Sequence, residues 1–192
     1  MESFASQIAA AEKALEEGRL DDLRRILPPL LKAEVPAAIR LDASFFDAGT
    51  PEEEIDRLHV EGMLRAAELG DPVARYRVGV FYDLGEYGVK VDKARASKIF
   101  RELALEGDAH CQWIYACELL WGTGSFEKDV AGGLEMLDRA IINGSGNACI
   151  TKATFYNDGE FSHPIDFEQR DKYRKLAKEC EEDSGYVYDP YA

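Results

Sequence analysis

The chain has 192 residues, 46% of them hydrophobic and 31% charged, the size and mix of one folded domain rather than of a disordered chain. Its 23 Lys and Arg against 37 Asp and Glu leave a net charge of −14, which argues against nucleic acid and anionic lipid as partners. That charge suits solubility, or a protein partner with a basic surface.

In chain order, residues 2–17 and 20–32 each read as a helix, joined at Gly18, and residues 1–35 form an N-terminal helical cap pair. No basic stretch followed by a long apolar one marks a secretory signal at the start. The apolar run 26–31 is interrupted by Pro28 and Pro29 and is too short to span a bilayer. A helix through Ala37, Leu41 and Phe45 comes next and ends at Gly49. Thr50-Pro51-Glu52-Glu53 then carries an N-cap, a proline at the first helical position and a capping box for the following helix. That helix finishes with Leu64, Ala66, Ala67 and Gly70.

The next segment, 71–107, is the clearest. Asp71 caps a helix that opens with Pro72, where a missing N–H costs nothing. Ala74, Val78, Phe81 and Tyr82 recur in it at helical spacing, and Gly85 and Gly88 end it. Asp92 caps a second helix with an apolar stripe of Ala96, Ile99, Phe100, Leu103 and Ala104, closed by Gly107. The two following segments repeat this plan, capped by Asp108 and Ser145. After Cys180 a tail over 182–192 carries Tyr186, Tyr188 and Tyr191, and is expected to dock in part on the last helix.

One period of 37 residues organises all of this. Gly70, Gly107 and Gly144 are spaced by it, as are Gly85, Gly122 and Gly159, and Asp92, Asp129 and Asp166. Ala37, Ala74, Cys111 and Ala148 hold one small position, and Phe45, Tyr82, Leu119 and Tyr156 one large position. The repeats fall at 36–70, 71–107, 108–144 and 145–181.

This spacing resembles the Sel1-like repeat family, a relative of tetratricopeptide repeats. Ala74, Val78, Gly79, Tyr82, Gly85, Gly88, Val89, Asp92, Ala96, Phe100, Ala104 and Gly107 match the family pattern, with one extra residue between the loop glycines. The third repeat keeps Gly122, Gly124, Asp129, Ala140 and Gly144, but has Tyr115 and Ala116 where Leu-Gly is usual. The fourth keeps Ala148, Tyr156, Gly159, Asp166, Tyr173 and Ala177, and has Glu181 in place of the closing glycine. The resemblance implies an all-α fold, a right-handed α/α solenoid of helix pairs, acting as a scaffold or adaptor for other proteins. It also implies roles in signalling, in pathogenesis, or as immunity proteins that neutralise antibacterial effectors.

Chemistry is hard to find. His59, His110 and His163 lie in different repeats, and no H-x3-H or C-x2-C spacing supports a metal. Cys111, Cys117, Cys149 and Cys180 suit a reduced, cytoplasmic protein, with Cys111 at a small core position beside His110. Ser125-Phe126-Glu127-Lys128 fits S-x-x-K, but its companion elements S-D-N and K-T-G do not occur and Ser125 falls in a loop. Neither a catalytic group nor a cofactor is expected, and a small hydrolase is the remote alternative.

Binding is the better reading. In tetratricopeptide-like arrays the first helix of each pair lines the concave face, so its side chains that do not serve the core should point into the groove. These are Phe46 in the worn repeat, Tyr76, Arg77 and Asp83 in the second, Trp113, Ile114, Leu120 and Trp121 in the third, and Thr151, Asn157 and Asp158 in the fourth. Aromatic anchors ringed by polar groups are what a protein-binding hot spot requires. If instead Trp113 and Trp121 replace the missing Leu-Gly packing, they belong to the core. The expected partner is a protein with a basic surface, such as an effector toxin; the alternative is a regulatory adaptor joining cellular proteins.

Overall fold

Leu23, Leu27 and Leu30 recur at helical spacing, and all three are buried. They meet Ala11 and Ala14 of the preceding helix, whose small side chains let the two backbones approach. Each buried leucine stabilises the pair by roughly 2 kcal/mol. The computed structural model describes residues 3–184, and the expected tail with Tyr186, Tyr188 and Tyr191 lies outside the described residues.

The described residues form ten α-helices and one 3-10 turn, with no strand among them. The helices are α1 Phe4–Glu16, α2 Leu20–Lys32, α3 Pro36–Asp42, α4 Glu52–Glu68 and α5 Pro72–Leu84, followed by the 3-10 turn Glu86–Gly88. Then come α6 Lys93–Glu106, α7 Ala109–Trp121, α8 Val130–Ile142, α9 Gly146–Asp158 and α10 Phe167–Ser184. The chain divides into two compact units, Met1–Ala96 and Ser97–Ala192, where its length suggested a single domain. In a repeat array each helix packs on its sequence neighbours, so the core is a series of local clusters with no common centre.

In the first unit α1 packs on α2, α3 on α4 and α4 on α5. Ala38 and Leu41 of α3 complete the cluster built on α1 and α2. In the second unit α7 packs on α8 and α9 on α10. Its cluster joins Ala116 and Leu120 to Met136, Leu137 and Ala140, and to Ala148 and Phe155.

The period appears as repeated hydrogen bonds. Asp71 and Asp108 accept from the backbone N–H groups of Ala74 and Cys111 through Oδ1 at 2.7 Å, and Ser145 accepts from Ala148 at 3.3 Å. Each satisfies one of the donors that a helix start leaves unpaired. The aspartates opening the second helices do two jobs. Their side chains accept at 3.0 Å from N–H groups of Arg95, of Gly132, and of Glu168 and Gln169. Their own N–H groups donate back to the first helix, from Asp92 to Tyr82 O, Asp129 to Leu119 O and Asp166 to Tyr156 O, at 2.8 to 2.9 Å. One residue type thus ends the loop and starts the helix. Gly85, Gly122 and Gly159 cap the first helices in the left-handed region, at φ of 75°, 67° and 74°, which glycine enters without a Cβ clash.

Inside the worn repeat the first helix ends, and the second is capped, differently from expectation. Helix α3 stops at Asp42, before Phe45 and well before Gly49. The Ser44 hydroxyl donates to Arg40 O at 2.7 Å, taking up a carbonyl of the last turn. Thr50 is not the cap of α4, because its hydroxyl turns back to Asp47 O at 2.9 Å. The N-cap is Pro51, with no side-chain bond, and Glu52, Glu53 and Glu54 favour the helix start electrostatically. Helix α2 runs through Pro28 and Pro29, although neither can donate to the carbonyls of Arg24 and Arg25. The buried leucines on either side of that gap hold the helix together.

Candidate protein-binding surface

In the second unit, α7 and α9 bring several of the expected groove residues together. The Trp113 indole is half-buried, and its Nε1–H donates to the Thr151 hydroxyl at 2.9 Å. Thr151 in turn donates to Asn147 O at 2.9 Å, so both side chains are held in place. The His110 ring lies 5.3 Å from the Trp113 ring, and burial lowers the His110 pKa, opposed in part by the charge of Asp108. Trp113 therefore serves both packing and surface, with its edge tied to a polar neighbour.

Trp121 is different. It is 44% exposed and rests edge-on against Phe161 at 5.5 Å, with Phe155 at 6.0 Å beneath. A rigid ring supported from below and open above is a ready contact for another protein. Asn157 bridges neighbours, donating to Asp158 at 2.7 Å and accepting from Arg170 at 3.3 Å. Ile114 is half-buried and Asp158 is exposed.

Leu120 is a correction. It is fully buried and packs with Ala116, Leu137 and Ala140, so it belongs to the core and not to a groove. The cause is Gly133 in the middle of α8. A Cβ there would lie 2.7 Å from Leu120 Cγ and 3.0 Å from the Leu120 backbone nitrogen. The bare glycine lets α8 come close and enclose the leucine.

In the first unit the expected residues are mostly occupied within the chain. Asp83 accepts from Lys93 at 2.7 Å, and Arg77 lies over the Phe81 ring at 5.7 Å while pairing with Glu86 at 3.6 Å. Tyr76 is half-buried on the same helix. Phe46 lines an open cavity beside α4.

Sequence reading missed Tyr87 and Phe161. They stand two periods apart, with Gly124 between, and all three have positive φ: 53°, 71° and 47°. Such a backbone is strained for an aromatic residue. Ring packing holds it, with Tyr87 at 5.3 Å from Phe81 and Phe161 at 4.8 Å from Phe155. Phe81 and Phe155 are themselves two periods apart, so one device is built twice. The third repeat has Glu118 at the equivalent place, and a Cβ on Gly124 would meet its carboxylate at 2.4 Å. Tyr87 also packs on His59 at 4.8 Å, and His59 Nδ1 lies 2.5 Å from Ala43 O, a structural role for that histidine. The register of these loop positions was the available signal.

No group of three or more His, Cys, Asp or Glu side chains able to hold a metal occurs among the described residues. No described helix is long and apolar enough to cross a membrane.

No family model and no curated protein matches the sequence. Solved structures do. The chain is similar to a Sel1 repeat protein from Oxalobacter formigenes, at 25% identity and a TM-score of 0.69, over 83% of this chain and 64% of that one. It is also similar to c5321, a protective antigen present in uropathogenic Escherichia coli strains displaying an SLR fold. That likeness has 21% identity and a TM-score of 0.66, over 82% of this chain and 33% of the other. The chain thus spans less than two thirds of the length of either protein.

Proposed function

The chain has the Sel1-like repeat fold, and from that premise we propose that it is a non-catalytic scaffold that binds another protein. The observation that carries this reading is Trp121, a large ring 44% exposed on a floor of Phe155 and Phe161. The fold supplies a rigid helical surface, and the aromatic ring supplies the contact energy. The net charge of −14 favours a partner with a basic surface. The specific form we carry forward is a cytoplasmic immunity protein that binds and neutralises an antibacterial effector. A regulatory adaptor is its alternative, and the acidic charge, which suits one dedicated basic partner, favours the first.

The experiment is affinity capture with the full chain at low and moderate salt, in parallel with Trp121→Ala. The expected result is one stoichiometric basic partner, bound at least about thirtyfold less tightly by the variant, which is roughly 2 kcal/mol. The variant should keep its helical content, since the ring is not enclosed. Co-expression should then protect cells from the captured protein if it is a toxin. Several unrelated partners, equally bound by the variant, would favour the adaptor. Turnover of a small ester or amide substrate by the pure protein would overturn the non-catalytic reading.

A further inference from the structure

The connection between the two helices of the worn repeat leaves an opening. Because α3 ends at Asp42, residues 43–51 cross to α4 without regular structure. A cavity of about 880 Å³ lies between this connection and α4. Gly62 anchors its floor, since α4 approaches Ala43 so closely that a Cβ on Gly62 would stand 2.4 Å from the Ala43 Cβ. Phe46 and Leu58 line the cavity and are incompletely buried, Leu58 being 36% exposed. This is apolar surface held open to solvent.

The charges around it are one-sided. Asp42, Asp47, Glu54 and Glu61 line the cavity together with Arg24 and Arg65. Both arginines are already satisfied. Arg24 is bound to Asp21 at 2.9 Å and Asp47 at 2.5 Å, and Arg65 to Glu34 at 2.9 Å with Glu68 at 3.7 Å. Glu54 and Glu61 share a single cation, Arg57, at 4.0 and 3.1 Å. Among the described residues no cation pairs with Asp42, which is exposed at the cavity edge yet partly desolvated, and that desolvation raises its pKa. At the lining itself four carboxylates stand against two guanidiniums, and both guanidiniums are already paired.

We propose that this cavity receives an arginine side chain from a basic segment of a partner protein, with its guanidinium among Asp42, Glu54 and Glu61 and its stem against Phe46 and Leu58. Charge complementarity selects a cation. The aromatic and aliphatic lining selects arginine over lysine, because the guanidinium is planar, more weakly hydrated and stacks on rings, whereas an ammonium holds its water. The lining shares no residue with the Trp121 surface, and its test needs no partner in hand, so failure of one reading leaves the other standing.

The test is titration of the isotope-labelled full chain with N-acetyl-arginine amide, N-acetyl-lysine amide and N-acetyl-citrulline amide, followed by NMR. Citrulline keeps the shape of arginine and removes its charge. The expected result is saturable shifts in residues 39–65 with the arginine probe, at least tenfold weaker binding of the other two, and at least threefold weaker binding to Asp42→Asn. Asp42 is exposed, so this variant should keep the native spectrum; Leu58→Ser, also at the surface, gives a second variant that should weaken binding. Absence of saturation would overturn the proposal. So would equal response to citrulline, lysine bound as well as arginine, or shifts spread over the acidic surface and unchanged in Asp42→Asn.

Discussion

Replacing Asp71 should damage the first unit more than the loss of a helix cap. The side chain is only 5% exposed, and Oδ1 accepts from Ala74 N at 2.7 Å while lying 3.1 Å from Arg40 Nε. Arg40 is itself nearly enclosed and donates to Glu12 of α1 at 2.6 Å, so Asp71 ties the start of α5 to α3 and α1. Removing the cap alone costs about 1 kcal/mol. Leaving a buried cation without its partner costs roughly 3–5 kcal/mol, reduced here because Arg40 keeps Glu12. Asp71→Ala should therefore lose roughly 3 kcal/mol, and Asp71→Asn, which still caps, roughly 2 kcal/mol. Adding Arg40→Met to Asp71→Ala should recover at least about 1 kcal/mol, because no buried charge is then stranded. Urea unfolding followed by far-UV circular dichroism measures all four chains. If Asp71→Ala falls within about 0.5 kcal/mol of the parent, or the arginine substitution recovers nothing, the coupling argued here is wrong.

Other outcomes follow from the same packing. Leu120→Ala should lower stability by roughly 2–5 kcal/mol in urea unfolding, whereas an exposed groove residue would cost under 1. His110 takes its proton at lower pH when folded than when unfolded, so its contribution to stability is complete above about pH 6.5 and is lost as pH falls below that value. His110→Gln should flatten that part of a stability–pH curve, and an unchanged curve would refute the assignment. Burial pushes the thiols of Cys117 and Cys149 up to about 12, so iodoacetamide at pH 8 should label them far more slowly in the native chain than in urea, as read by mass spectrometry. Equal labelling rates would show that these sites are open.

Helix starts and stops were legible from residues alone wherever the signal lies within a few positions of its effect. Asp71, Asp108 and Ser145 cap as read, because an N-cap needs only its own side chain and an N–H three residues on. Gly85, Gly122 and Gly159 stop helices for an equally local reason, their left-handed backbone. The worn repeat misled because a hydroxyl can also donate backwards to a nearby carbonyl, as Ser44 does to Arg40 O and Thr50 to Asp47 O, and composition does not say which bond forms.

The binding surface was legible only in outline. Periodicity places Trp113, Leu120 and Trp121 on one helix, but which way that helix is turned depends on what presses against it. Gly133 of α8 admits Leu120 to the core, Phe161 supports Trp121 from a loop whose strained backbone no propensity favours, and Thr151 holds the Trp113 edge from another helix. The opening beside Phe46 likewise exists because a short helix ends early against a bare glycine on its neighbour. Caps and repeats are written in local chemistry, whereas exposure is a difference between surfaces that meet only once the helices have packed.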